Sequence, residues 1–207
     1  APDRLDVDNH RWLVAPVQHF LDVLCIDGRP SGEKLGGATA YLRTALAPRA
    51  GQLGAGHMRP KVVPESALLE LALPEYDAVF LADVAQLTAS EARALGNYLK
   101  QGGSVVIFLG PRVLLQRYNR QLAEPHEGVP RLLPFRLDAV VEAEGNPLDP
   151  LGYAHSIVEP FRGRERAGLI TTPLQRYVRL EPVRGSKAKV ALATAGGDPL
   201  IVEEPVG

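Results

Sequence analysis

The hydrophobic positions fall into two regimes. Up to Gly110 they gather into continuous apolar runs of strand length, separated by stretches with helical spacing; beyond Pro111 they loosen and then alternate. The first clear run is Asp22-Val23-Leu24-Cys25-Ile26-Asp27-Gly28. Continuous apolarity over so short a length marks a strand buried on both faces, as in a parallel sheet. Ala38, Tyr41, Leu42, Ala45 and Leu46 follow at helical spacing and Pro48 stops them. His57–Val63 reads as a second strand and Glu65–Leu73 as a short helix. Tyr76–Val84 is a third strand, and Thr88 and Glu91 then stand at capping-box spacing ahead of a helix whose face is lined by Ala92, Leu95 and Leu99. Gly102-Gly103 closes that helix, and Ser104–Gly110 reads as another buried strand. Strand, helix and strand at this spacing imply a right-handed crossover between parallel strands.

Later segments are less regular. Val113–Leu122 has helical spacing, Leu137–Val141 is strand-like, Asn146–Gly152 is rich in turn residues, and Ile157–Phe161 leads into a charged loop. Arg176–Leu180, Ala188–Ala193 and Leu200–Glu203 alternate as antiparallel strands do. The expected class is therefore α/β: an open, flavodoxin-like three-layer sandwich with a mainly parallel sheet and a mixed or antiparallel C-terminal part. Ahead of it, Trp12-Leu13-Val14-Ala15-Pro16-Val17 reads as an edge strand or arm, because Pro16 would cost a central strand a ladder hydrogen bond. The division expected is an arm over residues 1–18 and one α/β unit over 19–207.

Composition narrows the classes of function. The chain has 207 residues, enough for a sizeable core without metal or disulfide support. Its 23 basic and 24 acidic residues leave a net charge of −1, which argues against a nucleic-acid partner. The lone cysteine, Cys25, excludes an intrachain disulfide and any multi-cysteine metal site. No apolar run approaches the ~20 residues of a membrane span, so no direct insertion by this segment is expected. The ends, Ala1-Pro2-Asp3 and Pro205-Val206-Gly207, lead us to expect a domain excised from a longer protein.

In open α/β sheets ligands bind beyond the carboxyl ends of the strands. The candidate ligand-binding residues are accordingly Asp27, Gly28 and Arg29 after the first strand, Asp83 after the third, and Gly110 and Arg112 after the fourth. Arg29 and Arg112 suit a small anion, and the glycines permit close backbone approach; the competing reading is that these are ordinary strand-end turns. Asp27 and Asp83 are also the candidate metal pair, since carboxylates at two strand ends can hold Mg²⁺ as a phosphoacceptor domain does. The acidic pair and the lysine of that arrangement are missing. No G-x-G-x-x-G or P-loop follows the first strand, and no cofactor is expected. Cys25 sits inside a buried-type strand, where a free thiol is usually core. The histidines, His10, His19, His57, His126 and His155, form no local zinc motif. His155 with Glu159 is a candidate acid–base pair, which with Asp83 completes the catalytic candidates. The arginines at 112, 117, 120, 131, 136, 162, 164 and 166 read as a solvated face rather than an anion rim.

Val23–Gly28, Tyr76–Val84 and Leu95-x-x-Tyr98-Leu99-x-x-Gly102-Gly103-Ser104-Val105-Val106-Ile107-Phe108-Leu109-Gly110 together resemble the class I glutamine amidotransferase-like fold. More narrowly, they resemble the version embedded in BatA-like or von Willebrand A-containing bacterial membrane proteins of the planctomycete type. Leu5–Trp12 is similar to the tail of the β-rich region preceding that domain. The resemblance implies a nucleophilic cysteine in a Gly-x-Cys-x-Gly turn; here Phe108 occupies that position. His155 and Glu159 are similar to the family's histidine and glutamate, at a different spacing. The expectation is a non-catalytic domain for protein interaction or small-ligand sensing in a cell-envelope protein, periplasmic or cytoplasmic. Its expected partners are other domains of the same polypeptide, envelope proteins or a small anionic ligand. The alternatives are a hydrolase using Asp27, Asp83 or His155, a Mg-dependent phosphoacceptor-like domain, and a structural spacer.

Overall fold

A computed structural model describes residues 20–33, 35–48, 57–124, 131–164 and 168–206. The arm over Trp12–Val17, the segment Leu5–Trp12, and His10, His19, His126 and Arg166 lie outside them. The first half of the described chain forms β1 (Leu21–Asp27), α1 (Ala40–Leu46), β2 (Met58–Pro64), β3 (Ala78–Ala82), α2 (Ala89–Lys100) and β4 (Ser104–Phe108). The four strands make one parallel sheet in the order β2-β1-β3-β4, a flavodoxin-like open α/β sandwich as the sequence pattern anticipates. The register sets Cys25 level with Val62 and Phe80, and Phe80 level with Val106.

Position in the sheet explains each strand's burial. β1 is central, and Val23, Leu24, Cys25, Ile26 and Asp27 are all buried. One face, carrying Leu24, Ile26, Val79 and Leu81, packs with Ala92, Leu95 and Tyr98 of α2, with Leu68 and Leu73, and with Tyr118 and Leu122 further on. This is the main core. The other face carries Val23, Cys25, Phe80, Val106 and Phe108; the rings of Phe80 and Phe108 stack with centroids 6.1 Å apart.

Three expectations need correction. Ser104–Phe108 is an edge strand rather than a doubly buried one, and none of its residues is buried; Val106 and Phe108 are 37% and 47% exposed. Hydrophobic composition shows that a strand is apolar, but not whether another strand follows it in the sheet. The short helix expected over Glu65–Leu73 is a 3₁₀ helix that ends at Glu70, followed by a separate 3₁₀ turn over Leu73–Glu75. Tyr41, assigned to the apolar stripe of the first helix, points to solvent at 72% exposure; the helix starts two residues later than its pattern suggests.

α2 follows its sequence closely. Thr88 Oγ1 accepts from the Glu91 amide at 3.2 Å while the Glu91 carboxylate accepts from the Thr88 amide at 2.7 Å, completing the capping box. At the other end Gly102 takes φ +91°, a left-handed conformation that favours glycine. The Gly103 amide then donates to Tyr98 O and the Gly102 amide to Leu99 O, both at 3.0 Å. Thr88→Ala is expected to cost about 1 kcal/mol, measured as a shift of the urea midpoint at unchanged slope.

The second half folds back on this core. A helical turn, α3 (Leu115–Tyr118), widens into a π turn over Asn119–Ala123, in place of one regular helix over Val113–Leu122. Asn119 supplies a reason for the irregular turn: its amide group donates to Leu137 O and accepts from Leu137 N, each at 2.8 Å, as a neighbouring strand would. The later strands are β5 (Phe135–Asn146), β6 (Leu148–Asp149), β7 (Leu174–Pro182), β8 (Lys189–Thr194) and β9 (Pro199–Glu203). β5 pairs with β7 and β8 lies between β6 and β9, all antiparallel, as the alternating pattern indicates. Leu137, Val178 and Leu180 join the same core as α2. Among the described residues no helix is long and apolar enough to cross a membrane.

Candidate functional site

The carboxyl ends of β1, β3 and β4 meet in a compact polar cluster, and the sequence candidates from these loops are found there. Asp27, the last residue of β1, is buried and accepts four hydrogen bonds: from the amides of Arg29 (2.9 Å), Ala38 (3.2 Å) and Thr39 (3.3 Å) and from Thr39 Oγ1 (2.6 Å). Burial alone would raise its carboxyl pKa. The Thr39 hydroxyl and the three amides outweigh that and hold it below the usual carboxylate range. Both oxygens are committed to fixing the 29–39 loop, so Asp27 acts here as scaffold.

Asp83 is placed differently. It follows β3 in a left-handed conformation (φ 52°), which costs a non-glycine residue about 1–3 kcal/mol and persists only where the surroundings enforce it. Those surroundings are two glycines. A Cβ on Gly28 would lie 2.0 Å from Asp83 O, and one on Gly110 would lie 2.3 Å from Asp83 Oδ1. The Asp83 side chain is 6% exposed; Oδ1 accepts from the Arg112 amide at 2.8 Å, whereas Oδ2 is buried without a hydrogen-bond partner. Among the described residues the charged partner of that oxygen is the Arg29 guanidinium, whose Nε lies 3.5 Å away in an ion pair.

Glu65 completes the cluster. As the first residue after β2 it stands at the fourth strand end, where its Oε1 lies 3.3 Å from Arg112 Nη2 and its Oε2 accepts from the Ala85 amide at 3.4 Å. The sequence reading missed it because β2 was not followed to its carboxyl end; an acidic residue directly after a strand was the available signal. Two carboxylates, Asp83 and Glu65, thus each face one guanidinium group, while Asp27 holds the loop beside them. Each arginine is anchored on one side by a carboxylate and is about half exposed on the other, at 55% for Arg29 and 40% for Arg112.

The remaining candidates lie apart from these contacts. His155 Nε2 is 2.8 Å from Glu203 on β9, and its Nδ1 accepts from the Ile157 amide at 3.3 Å. Both ring nitrogens are engaged, so the ring clasps the 151–161 segment to β9, and its carboxylate partner is Glu203 rather than Glu159. Glu159 meets His155 through the backbone, its amide donating to His155 O at 2.9 Å. Cys25 is fully enclosed in β1, and burial, with Asp27 nearby, pushes its thiol up to about 11. A thiol-specific reagent at pH 8 is therefore expected to leave Cys25 unmodified in the folded protein and to label it fully in denaturant.

Several of the arginines read as a solvated face are tied to partners: Arg131 to Glu204, Arg136 to Glu124, and Arg162 to Tyr153 O. Among the described residues no group of three or more His, Cys, Asp or Glu side chains is placed to hold a metal ion. A shallow depression at the opposite end of the sheet is lined by Asp22, Arg59, Pro60, Lys61, Glu75 and Tyr76. There the Arg59 guanidinium pairs with Asp22 and the Lys61 ammonium bonds Tyr76 Oη. Comparison with protein-family models, with curated proteins and with solved structures returned no match in any of the three.

Proposed function

We propose that this chain is a non-catalytic, amidotransferase-like domain of a bacterial cell-envelope protein that senses a small anionic ligand at its strand ends. Asp83 is the observation that carries this reading. A buried carboxylate in a strained backbone conformation, wedged between two glycines and holding an arginine side chain on one oxygen and an arginine amide on the other, is costly to maintain. Such strain concentrates at binding sites, where it prearranges groups for a ligand. The exposed sides of Arg29 and Arg112 offer planar donor forks suited to a carboxylate or phosphate.

The non-catalytic part rests on what occupies the nucleophile's place. Phe108, which the amidotransferase resemblance aligns with the catalytic cysteine, is a half-exposed ring stacked on Phe80. Cys25 is enclosed and held as a thiol, and acyl transfer requires an accessible thiolate. The partners we propose beyond the ligand are other domains of the same polypeptide or envelope proteins.

Thermal unfolding in a panel of small carboxylates, phosphates and sulfate tests this. At least one member is expected to raise Tm by about 5 °C or more at ~100 times its Kd. In Arg29→Gln/Arg112→Gln that rise should vanish. A panel with no stabilising member, or a shift that survives in the double variant, overturns the reading. Release of ammonia from glutamine above the buffer blank overturns the non-catalytic part.

A further inference from the structure

The two edges of the parallel sheet are built differently. β2 carries Arg59, Pro60, Lys61 and Pro64. Charges and prolines on an edge strand block the addition of another strand. β4, reading Ser104-Val105-Val106-Ile107-Phe108, has neither a charge nor a proline, and among the described residues it pairs only with β3. Unguarded apolar edges of this kind invite strand pairing. Beside the edge, exposed Val106 and Phe108 extend an apolar stripe from Phe80.

We propose that this edge joins two copies of the chain, β4 against β4 in antiparallel register about Val106, giving one continuous eight-stranded sheet. Among the described residues the parallel sheet has one unguarded edge, so pairing through it closes as a two-fold dimer, and the prolines of β2 prevent growth of that sheet into a filament. The strand is self-complementary in this register. Val106 meets its own copy, Val105 lies opposite Ile107, and small Ser104 lies opposite large Phe108, so the ring has room to lean across the joint. The strand carries no charge, so it meets its own copy without like-charge repulsion, and the matching of Ser104 with Phe108 favours a second copy as the occupant. A five-residue edge with its stripe is small beside the ~800 Å² per partner of a stable dimer. The association is therefore reversible and dissociates on dilution.

Sedimentation of the 207-residue chain over a wide concentration range tests this. Wild type should pass from monomer to dimer. Val106→Lys, a change at an exposed position, should stay monomeric with the unfolding midpoint that wild type shows at dilutions where it is monomeric, while Val62→Lys on β2 should dimerise like wild type. A second variant guards against a folding defect. In Val106→Cys the two new side chains face each other across the axis, so mild oxidation should give a disulfide-linked dimer, with enclosed Cys25 unreactive. A wild type that remains monomeric throughout, a Val106→Lys protein that dimerises as wild type does, or a Val106→Cys protein that yields no linked dimer overturns the proposal.

Discussion

Replacing Asp27 with alanine is expected to destabilise the protein by roughly 3 kcal/mol, because one side chain satisfies four donors at once. The amides of Arg29, Ala38 and Thr39 and the Thr39 hydroxyl all lose their acceptor, and Thr39 is itself buried. A hydrogen bond to a charged group contributes ~1.5–3 kcal/mol, and four sharing one acceptor residue contribute less than their sum. The same group gives a pH signature. Its folded pKa lies below the unfolded value, so its stabilisation is fully present above the unfolded pKa, near 4, and is lost as pH falls through the folded pKa. Denaturant titrations from pH 7 to pH 2 should show wild type losing this increment below about pH 4. Asp27→Asn should show a flatter acid limb. Equal acid slopes in the two proteins would show that Asp27 is not the group responsible.

Gly28→Ala is expected to cost at least as much, roughly 3 kcal/mol or more, for a purely steric reason. The added methyl would stand 2.0 Å from Asp83 O and 2.6 Å from Val84 N, and both obstacles are backbone with no flexible end to swing aside. Relief requires β1 and β3 to separate just where the Gly28 amide donates to Ala82 O at 2.9 Å. Because Asp83 is displaced by the same movement, the variant should lose ligand-dependent stabilisation as well as intrinsic stability. An alanine variant with the wild-type denaturant midpoint would show that the strand ends are more widely separated than described here.

The elements legible in the sequence were those whose signals are local. β1 and β3 announced themselves by unbroken apolar runs, and α2 by Thr88, Glu91 and the Gly102-Gly103 pair, each acting within five residues of its partner. The errors were non-local. β4 has the same composition as a central strand, and only the sheet order reveals that it lies at an edge. His155 finds its carboxylate on Glu203, 48 residues away, so the nearby Glu159 misled. The residues named at the strand ends do come together, because the carboxyl ends of parallel strands are a topological consequence of the βαβ pattern. The division of labour within it was not legible. Asp27 and Asp83 look alike in sequence, and only the hydrogen-bond tally separates the scaffold carboxylate from the strained one.

The central position of β1 also constrains how the chain is made. Among the described strands β1 leaves the ribosome first, yet its neighbours arrive late: Met58 pairs with Leu21 after 37 residues, and Ala78 pairs with Val23 after 55. At ~5–20 residues per second the Leu24-Cys25-Ile26 run waits about 3–11 s for its second partner, long compared with hydrophobic collapse. During that interval a segment that is fully buried in the finished protein stays exposed and adhesive. Translation speed between Asp27 and Ala78, or a chaperone that holds this stretch, is therefore expected to set how long that apolar run stays without its second partner.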